Sequence, residues 1–179
     1  MQLDKHGRMR NLFLISTALV IGTAAVVAVL KFQDPRSVEN FSLDLIKSAD
    51  SILENKISKE PQVIIVNFWA SWCPPCIAET PSMLKFAKAH SEKLQLILVS
   101  EDSSSKEIRD FVKLFNDIYA VNMRVIWDAS RKLGQNFKVY KMPETFVFNR
   151  SGKLLMQLSG SVDWSEPELQ KKITEHFQN

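Results

Sequence analysis

Cysteine is scarce in this chain of 179 residues, which has only Cys73 and Cys76, and histidine occurs only three times. A structural zinc site needs four ligands, and no second pair of cysteines or histidines stands elsewhere to complete one. A disulfide that encloses two residues removes little chain entropy, so it would stabilise the fold weakly. These two structural roles are disfavoured, and the favoured interpretation is a Cys-x-x-Cys pair that cycles between dithiol and disulfide.

A clustered excess of charge is also missing from the main part of the chain. From Ser37 onward there are 18 basic and 18 acidic residues, while the first 36 residues hold 5 basic and 2 acidic ones and so account for the net charge of +3. Nucleic-acid surfaces require clustered positive charge, so that class of function is not expected. The chain has no internal repeat, and its later part is long enough for one domain with its own core.

Residues 12–30 lack charge altogether. As a helix, this run of 19 residues would be about 28 Å long, close to the ~30 Å thickness of the hydrocarbon core of a membrane. Basic residues precede it and favour a cytoplasmic N-terminus, namely Lys5, Arg8 and Arg10. The pattern therefore predicts a single membrane-spanning helix, with the rest of the chain on the far side.

This pattern divides the chain into four parts. We predict a basic cytoplasmic N-terminus at 1–11, a transmembrane anchor or uncleaved signal at 12–30, a linker at 31–40 and a folded domain at 41–179 in the periplasm or extracytoplasmic space. One alternative is a signal peptide cleaved near Val26-Val27-Ala28, but the uncharged run is longer than the roughly 7–15 residues typical of such signals. Export is implied whether the segment is an anchor or a signal. The remaining alternative, a buried helix of a soluble protein, fits the basic residues before the run poorly.

The cysteines stand between a predicted strand and a predicted helix. Residues 63–69 are rich in β-branched and apolar side chains, and residues 73–90 carry apolar positions at helical spacing, with Pro81 expected to kink the helix. Further strands are predicted at 94–99 and 123–127, and a hairpin is predicted around Asn149-Arg150-Ser151-Gly152. This order indicates an α/β fold with a mixed sheet flanked by helices and the cysteines at the carboxyl end of a central strand.

Capping residues predict three more helices. They are Ser104 with Glu107 for a helix to about Asp117, Asp128 for a short helix ending near Gly134, and Ser165 with Glu168 for a helix to Phe177. Residues 41–57 are ambiguous between a helix that includes Ile52 and a short strand at 41–43.

Two segments resemble a known family. Phe68-Trp69-Ala70-Ser71-Trp72-Cys73-Pro74-Pro75-Cys76 resembles the active site of thioredoxin-fold proteins, and with the predicted anchor it resembles the TlpA/ResA/CcmG (DsbE) group of membrane-anchored thiol–disulfide oxidoreductases. Val139-Tyr140-Lys141-Met142-Pro143-Glu144-Thr145-Phe146 resembles the cis-proline segment of CcmG. The chain departs from the usual pattern at Lys138 and Lys141, where glycines are common, and at Pro75. The resemblance implies a thioredoxin-like fold for about residues 41–177.

Each cysteine has a predicted role. Cys73 is the nucleophile, because the unpaired N–H groups and partial positive charge at a helix N-terminus favour its thiolate. Cys76 lies one turn further in and would attack the mixed disulfide to release the product. Pro74 and Pro75 have no N–H to donate to Cys73, so the N–H of Cys76 is the nearest helical donor, and the two rings stiffen the turn.

Glu79 is the candidate proton carrier. It lies three residues after Cys76, on the same helix face, and matches an acidic residue that the resembling proteins carry beside their cysteines. Asn67 occupies the position of the buried aspartate of thioredoxins and cannot exchange protons itself. Partial burial would raise the pKa of Glu79 toward working pH, whereas the alternative is an ordinary solvated glutamate.

The resemblance also implies a client-binding surface. Pro143 is expected to follow a cis peptide bond that places the Met142 backbone against Cys73, where it could pair with an extended client. Glu144 is expected at the rim of this groove and Trp72 on the contact surface, whereas Trp69 is assigned to the core.

The favoured function is an extracytoplasmic, membrane-anchored thiol–disulfide oxidoreductase, with the Cys73–Cys76 disulfide as its redox group and no metal or other cofactor. Acting as a reductant, it would take electrons from a membrane-embedded thiol donor. The resemblance to CcmG implies apocytochrome c, or a chaperone that carries it, as the client. The alternatives are a general TlpA-like reductase or an oxidase with other clients, and a non-catalytic binding module on a thioredoxin scaffold.

Overall fold

The fold alternates strands and helices around the cysteine pair. The computed structural model describes residues 49, 51–54, 60–115, 118 and 122–178. Their elements are, in chain order, β1 (Ser51–Glu54), β2 (Val63–Trp69), α1 (Pro74–Ala89), β3 (Leu94–Ser100), α2 (Ser105–Val112), β4 (Met123–Trp127), α3 (Lys132–Asn136), β5 (Glu144–Asn149), β6 (Leu154–Ser159), α4 (Pro167–Thr174) and a 3₁₀ helix (Glu175–Gln178).

The strands of the described residues form one six-stranded mixed sheet in the order β1-β4-β3-β2-β5-β6. β2, β3 and β4 are parallel, while β1, β5 and β6 each run antiparallel to a neighbour. All seven residues of β2 and all seven of β3 are buried. Near-continuous apolar runs are typical of parallel strands covered on both faces, so the prediction of a mixed sheet around strand 63–69 is confirmed.

Side chains of the strands alternate between two cores, one on each face of the sheet. On the first face, Ile65 and Trp69 of β2 pack in one cluster with apolar residues of α1, α2 and α4. On the second face, Phe68 packs against Phe146 of β5 and against Phe137, which follows α3, with ring centroids 5.9 and 5.1 Å apart. Helices therefore flank both faces.

Two short-range predictions hold in the structure. Ser104 and Glu107 form a reciprocal capping box at the start of α2, although the helix ends at Val112 rather than near Asp117. β5 and β6 form the expected hairpin, in which Asn149 Oδ1 accepts hydrogen bonds from the Lys153 N–H and the Ser151 hydroxyl. Gly152 adopts the left-handed conformation that this turn requires, with φ of 82°.

Two predicted caps are wrong. Asp128 does not start α3, which begins after Arg131 and runs past Gly134. The Asp128 carboxylate instead accepts the Gly134 N–H at 2.9 Å. Ser165 does not cap α4, because its N–H and hydroxyl donate to Asp163 at 2.9 and 2.6 Å. Pro167 keeps the preceding residue extended, so α4 begins at the proline itself.

The region before β2 differs from the helical alternative. Residues 51–54 form strand β1, which pairs antiparallel with β4 and includes Ile52. An edge strand on β4 satisfies backbone groups that would otherwise remain unpaired. The predicted anchor at 12–30 and the linker at 31–40 lie outside the described residues. In the part of the chain that the structure describes, helices of sufficient length and hydropathy to cross a membrane are absent.

Glu101, the residue after β3, carries a buried carboxyl group at the carboxyl edge of the sheet. Its side chain is 8% exposed, and a Cβ atom on Gly134 would lie 2.5 Å from Glu101 Oε1, so a larger residue at this position of α3 would force the Glu101 side chain to shift. Burial and the neighbouring carboxylate of Asp128 raise the pKa of Glu101 to about 7, against the opposing effect of Arg131. Near neutral pH, a large fraction of the protein therefore carries a protonated Glu101 that can donate to Asp128.

This pKa predicts a pH-dependent stability. The ordinary pKa of the carboxyl group is 4.5, so the folded state binds an extra proton between about pH 4.5 and 7, and stability falls as pH rises through that window. Glu101→Gln keeps a hydrogen-bond donor toward Asp128 but cannot ionise. We expect it to remove up to ~3 kcal/mol of the fall, since one pKa unit corresponds to ~1.4 kcal/mol.

Urea unfolding of the wild type and of Glu101→Gln between pH 5 and pH 8 measures this difference. Glu175→Gln, a change at an exposed glutamate, is the matched control and should keep the wild-type pH dependence. Parallel stability curves for the wild type and Glu101→Gln would contradict the assignment.

Candidate active site

Cys73 and Cys76 are joined by a disulfide at the first turn of α1, four residues after β2 ends. Cys73 is the N-cap residue, and its Sγ accepts the Cys76 N–H at 3.3 Å, which is the donor expected from the sequence. Pro74 and Pro75 fill the first two helical positions, where a missing N–H costs least. Cys73 is 5% exposed and Cys76 1%, so the expected order of exposure holds although both residues are buried.

Asp102 forms hydrogen bonds to the loop that precedes Cys73, a role that the sequence did not predict. Its carboxylate accepts the Ser71 N–H at 3.0 and 3.1 Å, the Ser71 hydroxyl at 2.8 Å and the Ser100 hydroxyl at 2.7 Å. The signal in the sequence was the polar run Ser100-Glu101-Asp102 directly after a predicted strand, at the sheet edge where sites form. The turn before Cys73 is thus anchored to the neighbouring strand β3.

Glu79 is buried in α1, one turn after Cys76, with 3% of the residue exposed. Its Oε1 accepts the Asn67 amide at 3.0 Å, and its Oε2 accepts the Val162 N–H at 3.1 Å. Burial raises the pKa of Glu79, and the hydrogen bonds from Val162 and Asn67 lower it in part. The alternative of a solvated helix glutamate is therefore wrong.

Asn67 links Glu79 to strand β5. Its amide nitrogen donates to Glu79 and also to the Thr145 hydroxyl at 2.9 Å. Asn67 faces Thr145 across the β2–β5 pair, so the sheet register places these side chains together. Asn67 Oδ1 is buried, and in the described part of the chain it accepts no hydrogen bond. Asn67 therefore acts here as an orienting donor to the carboxylate.

The Met142–Pro143 peptide bond is cis, as the resemblance implied. Pro143 immediately precedes β5, and its carbonyl accepts the Gly160 N–H at 2.9 Å. Met142 packs against the core cluster that contains both cysteines. Because Glu144 pairs with Phe68 near the end of β2, the cis-proline lies at the same edge of the sheet as the disulfide.

Glu144 does not form a groove rim. The residue is 4% exposed, and its carboxylate accepts the Gln157 amide and the Ser159 hydroxyl of β6 at 2.6 and 2.7 Å. Strand alternation puts it on the face of Phe68 and Phe146, opposite to Thr145 and Glu79. Glu144 is the first residue of β5, and this position in the strand determines the face to which its side chain points. The proline motif alone did not reveal that position.

The exposed surface around the disulfide is largely apolar. Trp72 is 57% exposed, as expected for a contact residue, and Trp69 is buried against Phe111. Sequence analysis singled out neither Ile77, 38% exposed on α1, nor Tyr140, 90% exposed before the cis-proline. Exposed large apolar side chains near a reactive group indicate a surface for contacts with other molecules.

Comparisons with known proteins agree with this geometry. The Redoxin family model matches residues 37–173. The thiol:disulfide interchange protein DsbE of Allochromatium vinosum is 28% identical over 165 residues, which cover 86% of this chain and 88% of DsbE. The thiol-disulfide oxidoreductase ResA of Bacillus subtilis is 29% identical over 100 residues, 55% of this chain and 54% of ResA.

A solved structure supports the fold. The crystal structure of StoA from Bacillus subtilis superposes with a TM-score of 0.56 at 24% identity, covering 69% of this chain and 92% of that chain. This likeness shows the thioredoxin-like fold. The family match spans more than half of the chain and includes β2, both cysteines and the cis-proline. The chain therefore belongs to the Redoxin family and is a thiol–disulfide oxidoreductase of the TlpA/ResA/CcmG group.

Proposed function

We propose that this protein reduces client disulfides outside the cytoplasm, held at the membrane by residues 12–30, and that it serves cytochrome c maturation. The observation that carries the proposal is the Cys73–Cys76 disulfide at the start of α1, with the buried carboxylate of Glu79 on the same helix. The resemblance of residues 139–146 to the cis-proline segment of CcmG supports the pathway and the reducing direction.

The first step consumes the client disulfide. In the reduced protein, the Cys73 thiolate attacks one sulfur of the client, so that a Cys73–client disulfide forms and the client S–S bond breaks. The departing client sulfur leaves as a thiolate and takes up a proton. The Cys76 N–H, which donates to Cys73 Sγ, stabilises negative charge on the attacking sulfur.

The second step closes the protein disulfide. Cys76 gives its proton to the Glu79 carboxylate, and its thiolate attacks Cys73 Sγ, which releases the second client sulfur as a thiolate. Two electrons have then passed to the client, and Cys73–Cys76 is oxidised. Burial raises the pKa of Glu79 toward that of a thiol, which suits the carboxylate to accept and return this proton.

A membrane-embedded thiol donor completes the cycle by reducing Cys73–Cys76 through the reverse exchange. The disulfide is the only redox group that this cycle needs. The haem-binding cysteines of apocytochrome c, presented alone or by a chaperone, are the client that the resemblance implies. An extended client segment could pair with the Met142 backbone beside the cis-proline.

The reduction potential tests the proposed direction. We expect a value near ~ −270 mV, as in reducing thioredoxins, rather than near ~ −120 mV, as in strong oxidants. Equilibration with glutathione or dithiothreitol, followed by quantification of the two cysteine states, measures it. An oxidising value would replace the reductase with the alternative oxidase.

Trapping tests the roles of the two sulfurs. Cys76→Ser leaves the nucleophile but removes the sulfur that resolves the mixed disulfide, so client should stay attached through Cys73. Non-reducing electrophoresis and mass spectrometry of the membrane fraction would identify the attached protein. Cys73→Ser is the matched control and should trap none.

Recovery of apocytochrome c or its chaperone with Cys76→Ser supports the pathway. Alkylation of the native, reduced wild type provides the opposing test: if neither thiol reacts at neutral pH, the exchange mechanism fails.

Replacing Glu79 tests the proton transfer. The pKa of Glu79 is raised by burial, so the carboxylate form, which accepts the proton, becomes populated at higher pH than in a solvated glutamate, and ring closure should accelerate with pH. Glu79→Gln should be at least ~10-fold slower at pH 7, with the acceleration displaced to the pH at which the thiol itself ionises. Stopped-flow measurement of mixed-disulfide resolution between pH 5 and 9 gives the profile.

Thr145→Val is the control for this experiment, because it removes a hydroxyl partner of Asn67 but keeps the carboxylate. It should retain the shape of the wild-type profile. An unchanged profile in Glu79→Gln would falsify the proton role.

A further inference from the structure

Positive charge accumulates in one segment beside the candidate active site. Residues 131–141, here called the basic flank, hold four basic residues and no acidic one. The basic residues are Arg131, Lys132, Lys138 and Lys141, and all four are exposed. Lys138 and Lys141 stand where the resembling proteins usually carry glycine. Lys138 adopts φ of 54°, a left-handed conformation in which glycine would meet less strain.

The fold brings the end of the basic flank to the disulfide. The Val139 N–H donates to the Gly134 carbonyl at 2.9 Å, which joins the segment to α3. The chain then passes through Tyr140 and Lys141 to Met142, which packs against the cluster that holds both cysteines. Lys141 therefore lies two residues before the cis-proline, at the edge where a client must approach Cys73.

The other side of the disulfide contributes apolar surface. Trp72 and Ile77 are exposed, as are Pro74 and Pro75, and the first turn of α1 has no acidic residue. Together with Tyr140, these residues offer exposed rings and aliphatic groups close in sequence to the cysteines and to the cis-proline.

The described acidic groups of this region have other hydrogen-bond or ion-pair partners than Lys141. Both oxygens of Glu79 lie below the surface and accept hydrogen bonds from Asn67 and Val162. Asp163, on the loop after β6, is exposed, but its carboxylate accepts the Ser165 N–H and hydroxyl. Glu101 is buried and lies 3.6 Å from Arg131 at the other end of the basic flank. Glu144, directly after the cis-proline, is buried, and its carboxylate accepts hydrogen bonds from Gln157 and Ser159. Among the described residues, Lys141 is the exposed charge closest in sequence to the cis-proline.

We propose that the basic flank selects clients whose residues next to the disulfide are acidic and apolar. This inference rests on the proposed function, because it concerns the client that Cys73 reduces by the two steps described above. A client carboxylate would lie against Lys141, and an adjacent apolar side chain would contact Trp72 or Tyr140. Opposite charges at an approach surface accelerate encounter and exclude clients of like charge.

Two synthetic peptides with the same disulfide test the selection, one with aspartates and one with lysines beside the cysteines. The reduced, full-length wild type should reduce the acidic peptide roughly two- to fivefold faster at low salt, the effect of one exposed ion pair. The difference should shrink at high salt, because salt screens exposed charges. Lys141→Glu should reverse the preference and Lys141→Gln should weaken it.

Lys153→Glu is the matched control, since Lys153 is exposed at the β5–β6 turn, where Asn149 pairs with Val63 at the opposite end of β2. It makes the same change in net charge and should keep the preference for the acidic peptide. Tryptophan fluorescence and non-reducing chromatography follow the reaction.

The experiment distinguishes a failure of the client selection from a failure of the proposed reductase. Equal rates for both peptides, or a preference that Lys141→Glu leaves unchanged, overturn the client selection and leave the reductase intact. If the reduced protein exchanges with a small aromatic disulfide but reduces neither peptide, the proposed reductase fails, and the selection fails with it.

Discussion

The buried carboxylate of Glu79 is the constraint on which the candidate site depends. A carboxylate that leaves water must find hydrogen bonds or take up a proton. Here it does the first through Asn67 of β2 and Val162 of the loop after β6, while it belongs itself to α1. Three separate parts of the fold therefore converge on one side chain. Any shift of α1 along the sheet would break one of these bonds, so the helix that carries both cysteines is held in register with the strands.

The same geometry makes the two cysteines unequal. Cys73 is at the N-cap, where it accepts the Cys76 N–H and remains the more exposed of the pair. Cys76 lies deeper, on the helix that carries Glu79 one turn further on. In the proposed function, the more exposed sulfur meets the client and the deeper one loses a proton inside the protein. Asp102 keeps this arrangement in place from the other side, because it binds the Ser71 backbone and hydroxyl just before the helix begins.

Short-range patterns predicted much of this architecture. The capping box of Ser104 and Glu107, the hairpin at Asn149, and the strand–cysteine–helix order each depend on residues a few positions apart. The errors arose where neighbours compete or distant residues decide. Ser165 is drawn to Asp163 rather than to α4, and Glu144 points to β6 because of its register against Phe68.

Asp102 could not be assigned for a similar reason, since its partner Ser71 lies 31 residues away and only the pairing of β2 with β3 brings them together.

Glu101, at the same edge of the sheet, differs from Glu79 in its hydrogen-bonding surroundings. Like Glu79 it is buried, but its neighbour is the carboxylate of Asp128, whereas Glu79 accepts two N–H donors. Donors stabilise an ionised group and a second acid stabilises a shared proton, so burial alone does not determine what a carboxyl group does. In the proposed function Glu79 accepts and returns a proton, whereas Glu101 packs against Gly134 of α3, which the Val139 N–H joins to the segment that leads to the cis-proline.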